Sequence, residues 1–416
     1  MTFTALGRRF PFLVNSGYAT VTAASATLLL VLLTIAGRML TAADYGRFSY
    51  ALALTTIAET LMDMGLGQVT VRAVARDKPG AGLLFRHVLG LKLVSVAIGL
   101  ALLAVVTPLL RSDPQMIQLC YLMGLSSAVR SYLLTTRGLL QGLDRFDLEA
   151  LLVVCDRLLL LVAGGAVLWL GGGVFGLAMA FVASRVTMLG AVLLFVRRVV
   201  GSLAPRFDRA RWQDLRSAAL PLGFFMITLN MYTYIDTVIL GVMRTDAETG
   251  WYAASYRVYE GLTYAPSILA AVLTPRLSYL FVHDRGAHRR LLTRALAASV
   301  GLGVGLGGIT LWASRPILVT LFGGDYAPSV RPLQILAGGA VFVFGTWILH
   351  AAAISTNLDR RLLIATAVGL AANVLLNIAF IPRWGISGAA WATVIAECVT
   401  VMLLVVQVRR AISDAL

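Results

Sequence analysis

The chain contains the stretch Gly37-Arg-Met-Leu-Thr-Ala-Ala-Asp-Tyr-Gly46-Arg-Phe48, and 204 residues later it has the similar stretch Gly241-Val-Met-Arg-Thr-Asp-Ala-Glu-Thr-Gly250-Trp-Tyr252. Five of the twelve aligned positions are identical, and two more exchange Asp for Glu and Phe for Tyr. Two further matches follow in the same order, at offsets of 215 and 212: Leu143-Asp144-Arg145 with Leu358-Asp359-Arg360, and Gly173–Ala180 with Gly385–Ala392. Three ordered matches at nearly one spacing predict a duplicated half, which is typical of many transporters.

The composition of the 416 residues indicates a membrane protein. Hydrophobic residues make up 59% of the chain and charged residues only 13%, so the solvent for most of its surface is lipid. The first apolar run continues to about Ala36 without a small-residue cleavage site, which favours an uncleaved span over a signal peptide. With about 20 apolar residues per span, we predict twelve spans, at about 14–37, 46–68, 84–110, 115–138, 148–170, 174–196, 218–242, 251–275, 293–313, 332–354, 362–382 and 387–407.

The positions of the basic residues predict the orientation of these spans. The formal net charge is +15, and 22 of the 35 Lys and Arg residues fall on the side of the amino terminus, whereas seven fall on the opposite side. By the positive-inside rule, both termini should lie in the cytoplasm, with the chain in the cell inner (plasma) membrane. The basic excess is therefore a topology signal, and we expect no nucleic-acid partner.

The longest polar connection between spans, from Arg197 to Asp214, divides six spans from six. We therefore predict an amino-terminal lobe at 1–200, a cytoplasmic linker at 201–213 and a carboxy-terminal lobe at 214–416. Because six is an even number, both lobes begin on the same side and the repeat is parallel. The predicted fold is an all-α polytopic membrane protein, with twelve transmembrane helices in two six-helix lobes around a central cavity.

No residues form a catalytic or metal-binding pattern in the sequence. The four histidines are scattered, and the three cysteines lie in apolar runs without the spacing of a metal site or a disulfide framework. We therefore expect no enzymatic activity, no catalytic residue, no bound metal and no cofactor.

Polar residues inside the spans are the informative set, because a charge in lipid costs several kcal/mol unless it faces protein or water. Each has a simpler interpretation: Arg257 and Glu260 can form an ion pair along one helix, Asn residues often join helices, and cations near span ends can reach the interface. Cations in several different spans together indicate a water-accessible cavity with a positive lining, where arginine suits phosphate. The main charged members are Glu59, Asp63, Lys92, Arg130, Arg137, Asp156, Arg157, Arg185, Asp236, Arg257, Glu260 and Glu397.

Several segments resemble the polysaccharide transport (oligosaccharide flippase) family of the multidrug/oligosaccharidyl-lipid/polysaccharide exporter superfamily. The resemblance covers about residues 15–410. Its most specific part is Asn373-Val-Leu-Leu-Asn377 followed by Ile381-Pro382-Arg-Trp-Gly385-Ile-Ser-Gly388-Ala-Ala390. The other segments are Gly37 through Asp63-Met-Gly65-Leu66, Ala253-Ala254-Ser-Tyr-Arg257 with Thr274-Pro275-Arg-Leu-Ser278, and Leu321-Phe-Gly323-Gly-Asp-Tyr326.

Membership of this family implies a two-lobed transporter that works by alternating access. The implied substrate is an undecaprenyl-pyrophosphate-linked oligosaccharide, such as a polysaccharide or O-antigen repeat unit, moved from the cytoplasmic to the outer leaflet. The implied partners are this lipid-linked glycan, membrane lipids, H⁺ or Na⁺, and the polysaccharide polymerase with its chain-length machinery. The candidate substrate-binding residues are then Arg257, Arg130, Arg185 and Lys92, and the candidate ion-coupling residues are Asp236, Glu59, Asp63 and Glu260.

Related functions stay open at this point. A cation-coupled multidrug antiporter shares the twelve-helix fold but should have a more acidic cavity, and a peptidoglycan lipid precursor flippase resembles a fourteen-span protein. A major-facilitator transporter should carry a Gly-x-x-x-Asp-Arg/Lys loop between spans 2 and 3, which is missing from Asp63–Pro79. A glycan polymerase or ligase should have a large outer loop, whereas the outer loops here are short.

The repeat also shows where the two halves differ. At the offset of 204 residues, the position that matches Arg257 is Ala53, and the position that matches Asp236 is Leu32. A charge that one half has and the other lacks is not required by the duplicated fold. These two charges are therefore the strongest functional candidates.

Overall fold

A computed structural model of the chain describes residue 21, residues 25–356 and residues 359–413, and this part of the chain is almost entirely helical. It contains one 3₁₀ helix of six residues, Gly324–Ser329. The α-helices are α1 (Ala26–Met39), α2 (Ala42–Asp63), α3 (Leu66–Arg76), α4 (Ala81–Leu110), α5 (Pro114–Gly142), α6 (Phe146–Trp169), α7 (Gly173–Val200), α8 (Arg209–Met243), α9 (Asp246–His283), α10 (Arg285–Phe322), α11 (Val330–Gly338), α12 (Ala340–Ser355) and α13 (Asp359–Ser413).

Eleven of the twelve predicted spans correspond mainly to one helix or to part of one, and the span at 332–354 corresponds to the bent pair α11 and α12. The first predicted span is described mainly from Ala26 onward, because most of 14–25 lies outside the described residues. Within the described part of the chain, seven helices are long and apolar enough to cross a membrane, and the bent pair Gly324–Gly338 and Ala340–Ser355 makes an eighth when it is taken as one span. The remaining spans are the short α1, the more polar α2 and α5, and the second arm of α13, which runs through a kink at Gly385.

The first sequence match is a structural repeat. Thr41 precedes α2, and its hydroxyl accepts a hydrogen bond from the backbone N–H of Asp44 at 3.1 Å. Thr245 precedes α9 and accepts in the same way from Glu248 N–H at 3.2 Å, in a complete capping box. A capping hydroxyl satisfies an N–H that the first helical turn leaves free. Both copies of the motif therefore form a short turn that ends one helix and caps the next.

The third match is a structural repeat as well. Gly173 begins α7 with φ of +62°, and Gly385 begins the second arm of α13 with φ of +56°. Residues other than glycine rarely adopt this left-handed conformation. Pro382 lies just before Gly385 and supports the same break in the helix. In the second match, Leu358 lies outside the described residues.

The chain forms two compact units. Unit 1 contains residues 1–40 and 51–230, and unit 2 contains residues 41–50 and 231–416. Unit 1 has one apolar cluster around Phe85, Leu139 and Val196, where α3, α4, α5 and α7 meet. A second cluster, around Val88 and Leu215, joins α3 and α4 to the first half of α8. The predicted lobe boundary at 201–213 stays a prediction.

Unit 2 has its own apolar core between α8, α9, α11, α12 and both arms of α13. The cluster contains the fully buried residues Tyr252, Phe344 and Ile381, together with Ala389 and Ala390 from the segment after the Gly385 kink. Small residues at these positions allow the arms of α13 to approach their neighbours closely. The glycine and alanine residues after Pro382 are thus packing residues of this core.

The outer surface of the helices is apolar. Trp312 is 85% exposed, and Leu109, Val282 and Trp169 are each exposed by more than three quarters. A soluble protein rarely exposes large apolar side chains in such numbers over long helices, whereas a lipid bilayer solvates them. The chain is therefore a multi-pass all-α membrane protein.

Candidate functional site

The candidate carboxylates of α2 each bind a cation from another helix of unit 1. Lys92 of α4 is completely buried, and its Nζ lies 2.6 Å from Asp63 Oδ1. One turn earlier on α2, Glu59 lies 3.2 Å from Nη1 of Arg130, which comes from α5. A buried ion pair is held by its geometry, because either charge alone would be costly in a nonpolar interior. Four of the predicted site residues therefore form two neighbouring ion pairs.

Arg185 of α7 is buried in unit 1 without an acidic partner among the described residues. Its exposed fraction is 2%, and its Nη1 donates a hydrogen bond to Ser126 Oγ at 2.8 Å. Its guanidinium carbon lies 5.3 Å from the centre of the Phe181 ring, and its Nε has no hydrogen-bond partner in the described part of the chain. The side chain is thus a cation with unused hydrogen-bonding capacity.

A pocket inside unit 1 brings together arginines from α5 and α6. It is lined by Arg130, Arg137, Arg157 and Asp156, with apolar side chains of α5, α6 and α7 around them. Arg137 also contacts Glu149, with nitrogen–oxygen distances of 2.5 and 2.8 Å. Arg157 makes no ion pair with a described residue. Three guanidinium groups beside one pocket form a site that suits a phosphate-type anion.

In unit 2, Asp236 of α8 is the centre of a buried polar cluster. Its Oδ2 accepts hydrogen bonds from Thr393 Oγ1 at 2.5 Å and from the Tyr252 hydroxyl at 2.9 Å. Its Oδ1 accepts from Asn377 Nδ2 at 2.7 Å, and Asn377 Nδ2 also lies 3.1 Å from Asn373 Oδ1. None of the described Lys and Arg residues pairs with Asp236. Hydrogen bonds alone therefore hold this carboxylate inside the protein.

The most specific segment of the sequence is thereby explained. Asn373 and Asn377 lie one turn apart on the first arm of α13, and both are completely buried. The arm after the Gly385 kink supplies Thr393 to the same cluster. The Asn-x-x-x-Asn pattern and the kink together build the walls of the Asp236 site.

Arg257 and Glu260 form an ion pair within α9 of unit 2. The distance from Arg257 Nη1 to Glu260 Oε2 is 2.5 Å, and the Arg257 side chain is only 9% exposed. The spacing of three residues predicts this ion pair as the simpler of the two interpretations of these charges. The guanidinium keeps one donor, Nε, without a partner among the described residues.

Three charged residues of the two units, Arg137, Arg157 and Glu397, are not among the candidate site residues from the sequence. Arg137 and Arg157 were interpreted as residues near span ends, yet both line the pocket of unit 1. Glu397 of α13 is only 7% exposed and accepts a hydrogen bond from Thr346 Oγ1 at 3.0 Å. The spacing of seven residues between Arg130 and Arg137 was a usable signal for the first of these, because it places both on one helical face.

The sequence matches a known family. The profile of the family described as "Polysaccharide biosynthesis protein" matches residues 15–281, which is more than half of the chain. A curated relative is the "Probable flippase AglR" of Haloferax volcanii, which is 27% identical over 195 residues. That alignment covers 44% of this chain and 39% of the relative, so the chain spans well under half of the relative's length.

Solved structures share the fold over nearly the whole chain. The "Inward-facing conformation of a multidrug resistance MATE family transporter of the MOP superfamily" has a TM-score of 0.80 and 15% identity, covering 94% of this chain and 95% of that one. The "Lipid II flippase MurJ, inward closed conformation" has a TM-score of 0.78 and 14% identity, covering 96% and 89%. The fold predicted from the repeat is therefore confirmed, and the profile match shows that this chain belongs to the polysaccharide biosynthesis protein family.

Proposed function

We propose that the protein is a flippase that moves a lipid-linked oligosaccharide across the inner (plasma) membrane. The substrate would be an undecaprenyl-pyrophosphate-linked repeat unit, carried from the cytoplasmic to the outer leaflet by alternating access of two lobes, with both termini in the cytoplasm. The family of the chain and its similarity to the probable flippase AglR support this class of substrate. The polysaccharide polymerase and its chain-length machinery are the natural recipients of such a product.

The observation that carries the proposal is the arginine-lined pocket of unit 1. A pyrophosphate offers several oxygens to bidentate guanidinium groups, and three such groups line the pocket. Arg157 makes no ion pair with a described residue, whereas Arg130 and Arg137 would have to exchange Glu59 and Glu149 for the phosphate. Arg185 adds a buried guanidinium with an unpaired Nε on the neighbouring helix α7. A cation-extruding transporter would gain nothing from this lining, whereas an anionic headgroup would be stabilised by it.

The sugar part of the substrate explains why a protein is needed at all. Each hydroxyl costs roughly 2–7 kcal/mol to bury without a hydrogen-bond partner, so unassisted flipping is negligible. Two negative charges moving outward gain about 4–5 kcal/mol per 100 mV of membrane potential when nothing compensates them. The membrane potential is therefore one source of driving force, and an inward H⁺ or Na⁺ is the other.

Asp236 is our proposed ion-coupling residue. It is buried, it has no cationic partner among the described residues, and three side chains donate hydrogen bonds to its two oxygens. Glu59, Asp63 and Glu260 already hold Arg130, Lys92 and Arg257, so an ion would have to displace those cations. Lys92 and Arg257 would likewise reach a phosphate only after their own ion pairs open.

The proposal is tested by flipping in reconstituted vesicles. Fluorescent lipid-linked oligosaccharide, placed in one leaflet, becomes accessible to a membrane-impermeant quencher when it is flipped. We expect Arg157→Gln and Arg185→Gln each to slow flipping by about 10- to 100-fold, because a hydrogen bond to a charged group is worth about 1.5–3 kcal/mol. Arg198→Gln is the control, because Arg198 is an exposed arginine on the same helix as Arg185.

Other substrates decide between the related functions. Efflux of a fluorescent organic cation by the wild type, without flipping of the glycan lipid, would overturn the proposal in favour of a multidrug antiporter. Flipping of a peptidoglycan lipid precursor, with no activity on polyprenyl-pyrophosphate oligosaccharides, would assign the protein to the precursor flippases instead. Equal flipping rates for Arg157→Gln, Arg185→Gln and Arg198→Gln would remove the pocket of unit 1 from the mechanism.

A further inference from the structure

The sequence repeat relates Arg185 of unit 1 to Glu397 of unit 2. The offset of 212 residues that separates Gly173 from Gly385 also separates Arg185 from Glu397. In both halves the helix starts at a left-handed glycine and continues to the charged residue without interruption. The two side chains therefore occupy equivalent positions on the last helix of each half.

The surroundings of the two residues are also equivalent. Arg185 donates to the hydroxyl of Ser126 on α5, which is the fourth predicted span. Glu397 accepts from the hydroxyl of Thr346 on α12, which is the tenth predicted span and hence the fourth of its half. Both charged residues are more than nine-tenths buried. The duplicated fold thus offers one buried site twice, with a cation in unit 1 and a carboxylate in unit 2.

Glu397 faces no positive charge in the described part of the chain. The groups near it are the Tyr232 side chain from α8, the Tyr259 side chain from α9 and the Thr346 hydroxyl from α12. The α12 residue His350 lies one turn beyond Thr346, and the titratable residue of α11, Arg331, is exposed. A carboxylate that is stabilised by the neutral hydroxyls of Thr346 and Tyr232 and by no cation is poorly compensated in a nonpolar interior.

The chemistry of this site favours a proton as its ligand. Divalent cations such as Ca²⁺ and Mg²⁺ require about six or more oxygen ligands, and Glu397 has two hydroxyl partners among the described residues, Thr346 and Tyr232. A proton needs only one carboxylate oxygen, and the resulting O–H can donate to a neighbouring hydroxyl. The Tyr232 hydroxyl lies beside the carboxyl group and can accept this hydrogen bond.

We propose that Glu397 is a proton-binding site of unit 2, the charge-reversed counterpart of the Arg185 site in unit 1. A proton from water adds to one carboxylate oxygen and forms a neutral carboxyl group, and its release restores the carboxylate. In unit 1 the equivalent position keeps a fixed positive charge toward the anionic substrate. The role of this proton in transport rests on the proposed function, whereas the binding of the proton to Glu397 does not, because protonation requires no substrate.

Infrared difference spectroscopy on the purified full-length chain tests this without any glycan lipid. Spectra of the wild type recorded between neutral and acidic pH should contain a carboxyl C=O band that is absent in Glu397→Gln. Asp236→Asn is the control, and it should retain that band. Identical pH-difference spectra for the wild type and Glu397→Gln would overturn the proposal. The spectral result does not depend on transport: it would stand even if the wild-type protein flipped no glycan lipid in a separate assay.

A second variant keeps the test decisive when Glu397→Gln fails to yield folded protein. Thr346→Val removes the hydroxyl that donates to Glu397 at 3.0 Å and leaves the carboxyl group in place. We expect the C=O band to shift in frequency and its titration midpoint to move, because the carboxylate form loses its donor. A band and midpoint unchanged in Thr346→Val would contradict the assignment to Glu397.

Discussion

Gly46 and Gly250, which the sequence repeat aligns with each other, pack backbone against backbone in unit 2. A Cβ atom on Gly46 would lie 1.8 Å from the carbonyl oxygen of Asp246, and one on Gly250 would lie 2.0 Å from that of Ala42. The contact is reciprocal, as in an isologous interface, because each glycine touches the helix start that carries the other. Nε of Arg47, near the start of α2, also lies 2.9 Å from Oδ2 of Asp246, the first residue of α9, so an ion pair links the same two helix starts.

Alanine at either of these glycines should destabilise the protein. Because the obstacle is backbone rather than a flexible side chain, α2 and α9 would have to move apart, and we expect a cost of about 1–3 kcal/mol. The measurement is thermal unfolding of purified Gly46→Ala and Gly250→Ala. Gly190→Ala is the control, since a Cβ there meets nothing within 4 Å. Equal melting temperatures for all three variants would show that the helix starts separate freely.

The fold was accessible from the sequence because lipid-facing helices carry a strong apolar signal and the repeat fixes their grouping. The turn motifs around Thr41 and Thr245 were readable, since capping chemistry is local. Helices α2 and α5 were harder to recognise, because their apolar character is diluted by Glu59, Asp63 and Arg130. Ion pairing between helices compensates those charges, and a pattern along one helix does not show it.

The glycines of the third match should differ in their sensitivity to alanine. Gly173 and Gly385 both have positive φ, which costs a residue with a Cβ about 1–2 kcal/mol. A Cβ on Gly173 meets nothing within 4 Å, whereas one on Gly385 would lie 2.9 Å from Arg244 Nη2. We therefore expect Gly385→Ala to lower the melting temperature more than Gly173→Ala does. Equal decreases would indicate that the flexible end of the Arg244 side chain moves away easily, and a larger decrease for Gly173→Ala would contradict the prediction.

The candidate site was only partly predictable. The positions of buried charges could be read from the spans, but their partners could not, because pairs such as Lys92 with Asp63 depend on how helices pack. Asp236 was found because its counterpart in the repeat is Leu32, a completely buried apolar residue. Glu397 is one of the charges inside the spans but not a candidate from the sequence, because its counterpart in the repeat is another charge, Arg185, and a comparison of charged with neutral positions does not single it out.

Breaking the Lys92–Asp63 pair from one side should be severe. Lys92→Met leaves Asp63 as a largely buried carboxylate with two weak neutral donors, the Thr135 hydroxyl at 3.4 Å and the Gly67 N–H at 3.5 Å. Removing one partner of a buried ion pair typically costs about 3–5 kcal/mol. The double variant Lys92→Met/Asp63→Leu should recover most of that loss, because no unpaired charge remains. A double-mutant cycle of unfolding free energies measures this coupling, and additive effects would contradict it.

Asp236→Asn should uncouple transport from the ion gradient. The amide keeps an oxygen that can accept from Thr393 or Tyr252, so the cluster around it should stay folded. It loses the negative charge, which is the feature that an inward H⁺ or Na⁺ requires. We expect the flipping rate of the variant to become independent of proton and sodium gradients, while a response to the membrane potential remains. The rate is measured in vesicles with each gradient imposed separately.

Asp214→Asn is the matched control, because Asp214 is an exposed carboxylate near the start of the same helix, and this variant should respond to gradients as the wild type does. Gradient dependence that persists in Asp236→Asn would place the coupling ion at another residue.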